Sequence, residues 1–146
     1  MRPEETIEFH IRWAWAKISR IYNAEAAKED WTMSSASILL NIDKEGTPST
    51  SLGPRMGMES RSLTRSLKTM EERGLIIRKP DKVDKRMVRV FLTKKGTKMR
   101  EKARNAVVHF NSSIKEKIGQ EKLNTFFEVM GELNTILDKN EIFKEA

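Results

Sequence analysis

The chain has 146 residues, which is enough for one domain with a sizeable core and too few for two comfortable ones. Apolar residues make up 38%, charged residues 34%, and the formal net charge is +7. Cysteine is absent, which excludes disulfides, thiolate metal sites, a cysteine nucleophile and a thiol redox sensor. Apolar runs are short and the first ten residues lack a signal-peptide core, so we expect a soluble, cytoplasmic protein with no membrane partner.

The positive charge is concentrated in the middle of the chain. Residues 55–104 hold 17 Lys and Arg against six Asp and Glu, whereas each flanking segment is mildly acidic. A basic segment between acidic ends predicts a localised surface that binds a polyanion such as nucleic acid. A solvated, lysine-rich face is the alternative interpretation.

The first half of the chain reads as helices. Apolar residues spaced three and four apart predict one long helix over residues 3–29. Either Thr32 or Ser34 caps a second helix. A short third helix is expected over residues 51–56, starting late or partly 3₁₀, because Pro54 is tolerated only in a first turn.

The second half changes period and then returns to helix. A fourth helix is predicted over residues 60–73, followed by a hairpin whose strands begin near residues 75 and 87 and whose tip is long and charged. Thr93 caps a fifth helix, and a sixth follows Gly119. The expected fold is mainly α with a small β-hairpin wing: a winged helix-turn-helix flanked by extra helices at both termini.

The fourth helix carries a polar face opposite its apolar stripe. That face combines short hydroxyls with long cations: Ser60, Arg61, Ser62, Thr64, Arg65 and Lys68. Such side chains suit the major groove of DNA, because arginine can bind guanine O6 and N7 while hydroxyls reach bases or phosphates. An ordinary exposed helix face is the alternative.

The hairpin tip is a second candidate contact with DNA. It presents Lys82, Lys85 and Arg86. A cation at such a tip can enter the minor groove, where the potential is most negative. We expect Asp84 to orient Arg86, or an arginine of a helix, because a carboxylate in this position would otherwise repel phosphate. The alternative is a surface ion pair of little energetic weight.

Three short segments then coincide with a known family. Residues 71–76 (EERGLI), 84–86 (DKR) and 92–96 (LTKKG) resemble the pattern L-E-x-x-G-L-[IV], D-x-R, L-T-x-x-G of the MarR (multiple antibiotic resistance regulator) family. The close resemblance covers about residues 46–100. Two features depart from the family: Glu59 stands where a serine or threonine cap is usual, and Gly53-Pro54 interrupts the supporting helix.

The resemblance implies a bacterial, homodimeric transcription regulator, usually a repressor. The fourth helix would read the major groove and Arg86 the minor groove. A small aromatic or acidic ligand often binds between the dimer helices and the DNA-binding lobe in this family. No cofactor is implied.

The terminal helices predict a dimer. A winged helix-turn-helix needs only about residues 32–98 of this single domain, which leaves residues 1–30 and 99–146 as a helical dimerisation lobe. Their apolar stripes exceed what one small domain can bury. We expect these residues at the interface: Ile7, Ile11, Leu123, Phe127, Met130, Leu133 and Leu137. Two-fold symmetry then predicts a near-palindromic site with half-sites about one turn apart. The alternative is a monomer whose helices fold back on its own core.

Neither a ligand pocket nor a metal site is assigned from the sequence. The aromatic residues in and after the first helix fit either a pocket or ordinary core, and core is favoured. They are Trp13, Trp15, Tyr22 and Trp31. With two histidines, His10 and His109, and no cysteine, no metal site is expected.

The sequence therefore favours a sequence-specific regulator that binds double-stranded DNA, and the resemblance implies that it is a ligand-responsive repressor. Two alternatives stay open: a winged-helix module that binds protein, and a non-specific architectural DNA binder. No enzyme is expected, because we find no paired nucleophile and base and no phosphate-cradling glycine loop.

Overall fold

The computed structural model describes residues 1–144 and divides near residue 106 into two compact units. The first unit contains a 3₁₀ turn (Pro3–Glu5), α1 (Ile7–Ala27), α2 (Met33–Leu40), β1 (Thr47–Pro48), α3 (Ser49–Met56), α4 (Ser60–Glu72), β2 (Ile76–Pro80), β3 (Val88–Leu92) and the start of α5 (Lys94–Ile118). The second holds the rest of α5 and α6 (Gln120–Lys139). The predicted mainly helical fold with a small wing is confirmed, whereas the predicted division into two functional lobes stays a prediction.

The first two helices begin at threonine caps. Thr6 Oγ1 accepts a hydrogen bond from the Phe9 N–H at 3.4 Å, so α1 starts at Ile7 and the preceding residues form only a 3₁₀ turn. The expectation of one helix over residues 3–29 was therefore too long at both ends. Of the two candidate caps for α2, Thr32 is the one used, since its hydroxyl accepts from Ser35 N at 3.1 Å.

Helix α3 starts earlier than the sequence predicted. It begins at Ser49, directly after Pro48, and includes Pro54 as an interior residue. The expectation of a late or partly 3₁₀ start was wrong. The helix is held by tertiary packing, because Leu52 is fully buried while Pro54 lies on the exposed side.

The wing contains a third strand that the sequence did not predict. The strands are antiparallel in the order β1-β3-β2, with Thr47 opposite Val90 and Ile77 opposite Phe91. Gly46 leads into β1 with φ +90°, and a β-carbon there would lie 2.5 Å from the Phe91 ring. Glycine is thus required at this position by both the backbone conformation and the close approach.

The core lies within the first unit, between α2, α3, α4 and the sheet. The predicted buried stripe of α4 is confirmed, since Leu63, Leu67 and Met70 all belong to this core. Among residues 1–144, α1 and α6 bury none of their residues completely. In the same range, no helix has the length and apolar character needed to cross a bilayer.

Candidate nucleic-acid interface

Helix α4 presents its polar face to solvent. The six predicted contact residues, Ser60, Arg61, Ser62, Thr64, Arg65 and Lys68, are all exposed. Within residues 1–144, none of the three cations forms an ion pair. The Thr64 hydroxyl donates to the Ser60 carbonyl at 2.8 Å and keeps its lone pairs for an outside donor. The face therefore offers unpaired positive charge to an external anion, and the Thr64 hydroxyl oxygen to an external donor.

The start of α4 departs from the usual capping arrangement. Glu59 occupies the N-cap position, and its side chain makes no capping hydrogen bond. Gly57, in the left-handed conformation with φ 61°, ends α3 and makes the tight turn into this helix. The departure at Glu59 noted from the sequence is therefore real, and it leaves the first turn of α4 without a side-chain partner.

An ion pair ties the far end of α4 to the wing. Arg78 Nε donates to Glu71 Oε2 and Arg78 Nη2 to Glu71 Oε1, each at 3.1 Å. The hydrogen bond from Arg78 holds the pKa of Glu71 below its ordinary value, although desolvation opposes this effect. The bidentate geometry fixes the orientation of α4 relative to β2.

Asp81 organises the wing tip. Its Oδ2 accepts the backbone N–H groups of Val83 at 3.0 Å and Asp84 at 2.9 Å, and its Oδ1 accepts Arg89 Nε at 2.9 Å. Arg89 in turn donates to the carbonyl of Gly46 at 3.0 Å. The Asp81 side chain is only 11% exposed. The N–H of Asp84, then Arg89 and the N–H of Val83, keep the pKa of Asp81 below its ordinary value. One carboxylate thus joins the loop, β3 and the turn before β1.

Asp84 and Arg86 are close but loosely paired. Asp84 Oδ1 accepts the backbone N–H of Arg86 at 3.1 Å and lies 3.5 Å from Arg86 Nε. The Arg86 side chain is 95% exposed, and the flanking Lys82 and Lys85 are exposed as well. The role of Asp84 in orienting Arg86 stays a prediction. The structure brings the wing cations together at one tip.

A threonine and a glycine join the wing to α4 and α5. Thr93 Oγ1 donates to the Gly74 carbonyl at 2.6 Å and accepts the Gly96 N–H at 3.0 Å, which confirms Thr93 as the cap of α5. The N–H of Thr93 also donates to the Leu75 carbonyl at 3.1 Å. A β-carbon at Gly96 would lie 1.9 Å from that same carbonyl oxygen. The residues that match the family pattern thus close one packed junction.

The predicted dimer residues carry apolar surface in each unit. In the first unit, Ile7 and Ile11 are exposed. In the second, Phe127 and Leu137 are exposed, while Leu123, Met130 and Leu133 are partly buried. Their place in an interface stays a prediction.

The aromatic residues divide between core and surface. Trp31 is buried in the core, whereas Trp13 and Trp15 are about half exposed. The preference for core is therefore correct for Trp31 and wrong for the other two tryptophans within this chain. Burial raises the pKa of Tyr22. Within residues 1–144, no three histidine or carboxylate side chains converge as a metal site would require.

The sequence interpretation missed the residues that hold the wing, Asp81 and Arg89. The signal was present, because aspartate after Pro80 at the start of a polar loop is typical of a turn in which the carboxylate accepts backbone N–H groups. The sequence pattern predicts the positioning role for Asp84, which lies in the motif. The partner of Asp81 lies eight residues away, and only the strand register places the two together.

The lowered pKa values of Glu71 and Asp81 predict that the protein loses stability in acid. A carboxylate whose pKa is lowered in the folded state stabilises the protein when the pH is above its ordinary pKa, which is 4.5 for Glu71 and 3.8 for Asp81. This stabilisation is lost as the pH falls through the folded-state pKa. We expect Asp81→Asn and Glu71→Gln to lower Tm at pH 7 and to show a smaller loss of Tm between pH 7 and pH 3 than the unmodified chain. Thermal unfolding followed by circular dichroism measures both. Equal losses in variant and parent would contradict this role.

Taken together, the supporting helix, the tight turn, the exposed α4 and the three-stranded wing define a winged helix-turn-helix domain. The model of the MarR family matches residues 31–88, from Trp31 to the first residue of β3. The resemblance read from the sequence is therefore confirmed for residues 31–88, which are similar to the MarR family.

Individual relatives are similar to this chain in part of the sequence or in fold. The organic hydroperoxide resistance transcriptional regulator of Bacillus subtilis (strain 168) is 38% identical over 66 residues, a stretch that covers 45% of this chain and 45% of the relative. The S. aureus MepR–DNA complex is 16% identical and superposes with a TM-score of 0.82 over 90% of this chain and 98% of that chain. CouR from Rhodococcus jostii RHA1, solved bound to p-coumaroyl-CoA, is 20% identical. It superposes with a TM-score of 0.81 over 91% of this chain and 94% of that chain. The structural matches establish the same fold.

Proposed function

We propose that the chain is a sequence-specific regulator of transcription that binds double-stranded DNA as a homodimer and acts in the cytoplasm as a ligand-responsive repressor. The observation that carries the proposal is the solvent face of α4, where Arg61, Arg65 and Lys68 have no ion-pair partner among residues 1–144 and lie opposite a buried apolar stripe. Phosphate contacts by cations supply most of the affinity, and contacts from Arg61, Arg65 and their hydroxyl neighbours to base edges supply the sequence preference. The S. aureus relative of the same fold was solved as a DNA complex, which supports this interpretation.

The exposed apolar helices support the dimer. Helices α1 and α6 each expose large apolar side chains that a soluble monomer would leave in water. A second copy that covers them gives two α4 helices related by a two-fold axis. Two such helices one helical turn apart match a near-palindromic site.

The dimer predicts a strong effect at Phe127, whose side chain is 57% exposed on α6. Phe127→Glu places a charge in the proposed interface, where it would be buried without a partner, so we expect dimer dissociation to become at least about 100-fold easier. Sedimentation equilibrium measures the dissociation constant. Lys44→Glu, in the exposed loop before β1, is the control and leaves it unchanged. A dimer as tight in Phe127→Glu as in the parent would contradict the interface.

A small aromatic or acidic ligand is the finer part of the proposal. The R. jostii relative was solved bound to p-coumaroyl-CoA, which shows that this fold accommodates a ligand. A ligand that binds more tightly to a dimer with unsuitable spacing of its α4 helices would lower the affinity for DNA by that difference. We assign no residues to this ligand.

The experiment is a fluorescence anisotropy titration with the duplex upstream of the gene and a scrambled duplex, over a series of salt concentrations. We expect the upstream duplex to bind about 1000-fold more tightly, with an affinity that falls steeply with salt. Equal binding of both duplexes would favour a non-specific architectural binder. Binding of neither duplex at low salt would contradict the proposal and favour a protein partner for the basic face.

A further inference from the structure

An apolar side chain stands at the tip of the charged wing. Val83 is 96% exposed and lies between Lys82 and Asp84, with Lys85 and Arg86 following. Within residues 1–144, the only large apolar side chains with greater exposure are Met1 and Phe143, near the chain ends. Nothing in the folding of the chain requires a valine here, since its side chain contributes no burial.

Val83 lies in a loop whose conformation is fixed by hydrogen bonds. Asp81 Oδ2 accepts the Val83 N–H, and the backbone N–H of Asp81 donates to the Met87 carbonyl at 2.8 Å. The N–H of Met87 donates to the Asp84 carbonyl at 3.0 Å, which closes the loop on the other side. The valine is therefore held outward before any partner binds, and little conformational entropy is lost when a partner covers it.

We propose that Val83 enters the minor groove beside Arg86 and selects A·T over G·C at the base pair it contacts. This inference rests on the proposed function and adds a specificity-determining residue to it. Arg86 responds to the negative potential of a narrow groove, whereas Val83 reads a chemical group on the groove floor.

The selection follows from the hydrogen-bonding groups of the minor groove. An A·T pair shows only acceptors there, while a G·C pair adds the 2-amino donor of guanine. A valine side chain packed against the groove floor cannot accept a hydrogen bond and excludes the water that would. The amino group would then lose its partner, which disfavours G·C at that position. An A·T pair leaves room for both methyl groups.

A base-analogue scan tests this selection. The probe is the duplex of highest affinity from a random-sequence pool, in which each adenine is replaced in turn by 2,6-diaminopurine. This analogue adds a 2-amino group in the minor groove and keeps the groups that adenine shows in the major groove. Each duplex is titrated with the unmodified protein, Val83→Ala and the matched control Val88→Ala, which shortens a valine on the stem of the wing.

We expect one position in each half-site at which diaminopurine weakens binding of the unmodified protein and of Val88→Ala about tenfold. At that position diaminopurine weakens the binding of Val83→Ala less than threefold, because the smaller side chain leaves space for water at the amino group. On the unmodified duplex, Val83→Ala binds about tenfold more weakly, as expected for the loss of two buried methyl groups.

Two results would overturn the inference, and they are distinguishable. If the unmodified protein binds the selected duplex but Val83→Ala gives the same scan, Val83 does not read the groove and the proposed function stands. If the unmodified protein enriches and binds no duplex, the proposed function fails and this inference fails with it. As a control, we expect Val83→Ala to unfold at the same Tm as the parent protein, which would show that its fold is intact.

Discussion

Replacing Arg61 and Arg65 together by alanine is expected to lower the affinity for the specific duplex by about 1000-fold or more. Each arginine that binds a guanine edge contributes about 1–3 kcal/mol of discrimination, and a dimer makes every such contact twice. Both side chains are exposed on α4 and form no ion pair within residues 1–144, so their removal leaves no buried partner uncompensated. Anisotropy titrations on the specific and the scrambled duplex measure the loss.

The matched control is the double variant Lys44→Ala and Lys98→Ala. It removes the same charge from exposed positions outside α4, the wing tip and the predicted dimerisation lobe. We expect a small loss of affinity, equal on both duplexes, since only long-range attraction is reduced. If this control lost as much specific binding as the α4 variant, α4 would not be the reading helix.

The largest expected loss of stability is at Gly96. In Gly96→Ala the new β-carbon would lie 1.9 Å from the Leu75 carbonyl oxygen. The oxygen is a backbone atom and cannot move away on its own. Helix α5 must then shift, which disturbs the Thr93 cap and the junction with the end of α4. We expect the free energy of unfolding to fall by about 3 kcal/mol and Tm by about 10 °C.

Gly131→Ala is the control for this substitution. It adds the same methyl group in α6, where no atom of residues 1–144 outside the helix's own nearby backbone lies within 4 Å of the new β-carbon, so helix propensity should make it neutral or slightly stabilising. Chemical denaturation of both variants measures the free energies directly. A Gly96→Ala protein as stable as the parent would show that the junction between β2 and α5 is looser than its geometry indicates.

The parts of the fold set by neighbouring residues were predictable. The buried stripe of α4 follows from the three- and four-residue spacing of Leu63, Leu67 and Met70, and the Thr93 cap follows from its place before a helix. The wing was recognised because strand residues flank a polar segment that contains proline.

The parts of the fold that depend on residues distant in the sequence were not predictable. Strand β1 has two residues, one of them Pro48, and only its pairing with β3 defines it. Helix α3 includes Pro54 because Leu52 is packed into the core, which local propensity does not reveal. The same reason applies to the candidate site, whose exposed cations were identified from their pattern. The ion pair from Arg89 to Asp81 depends on strand register, and the ion pair from Arg78 to Glu71 depends on the packing of α4 against β2.

These contacts hold α4 and the wing in place within the domain. The ion pair from Glu71 to Arg78 holds α4 to β2, and Asp81 holds the wing tip to β3 and to the turn before β1. In the proposed complex, helix and wing would therefore meet DNA as one preorganised body, with little ordering cost left for the moment of binding. Preorganisation of this kind favours discrimination between sequences, because a misplaced contact cannot be recovered by local rearrangement.

Selection of bound duplexes from a random-sequence pool, followed by sequencing, tests the central claim most directly. The account predicts enrichment of a single motif with two-fold symmetry and half-sites about ten base pairs apart, centre to centre. Recovery of bound DNA with no enriched motif, or with a motif that lacks two-fold symmetry, would contradict a dimer that reads sequence through α4.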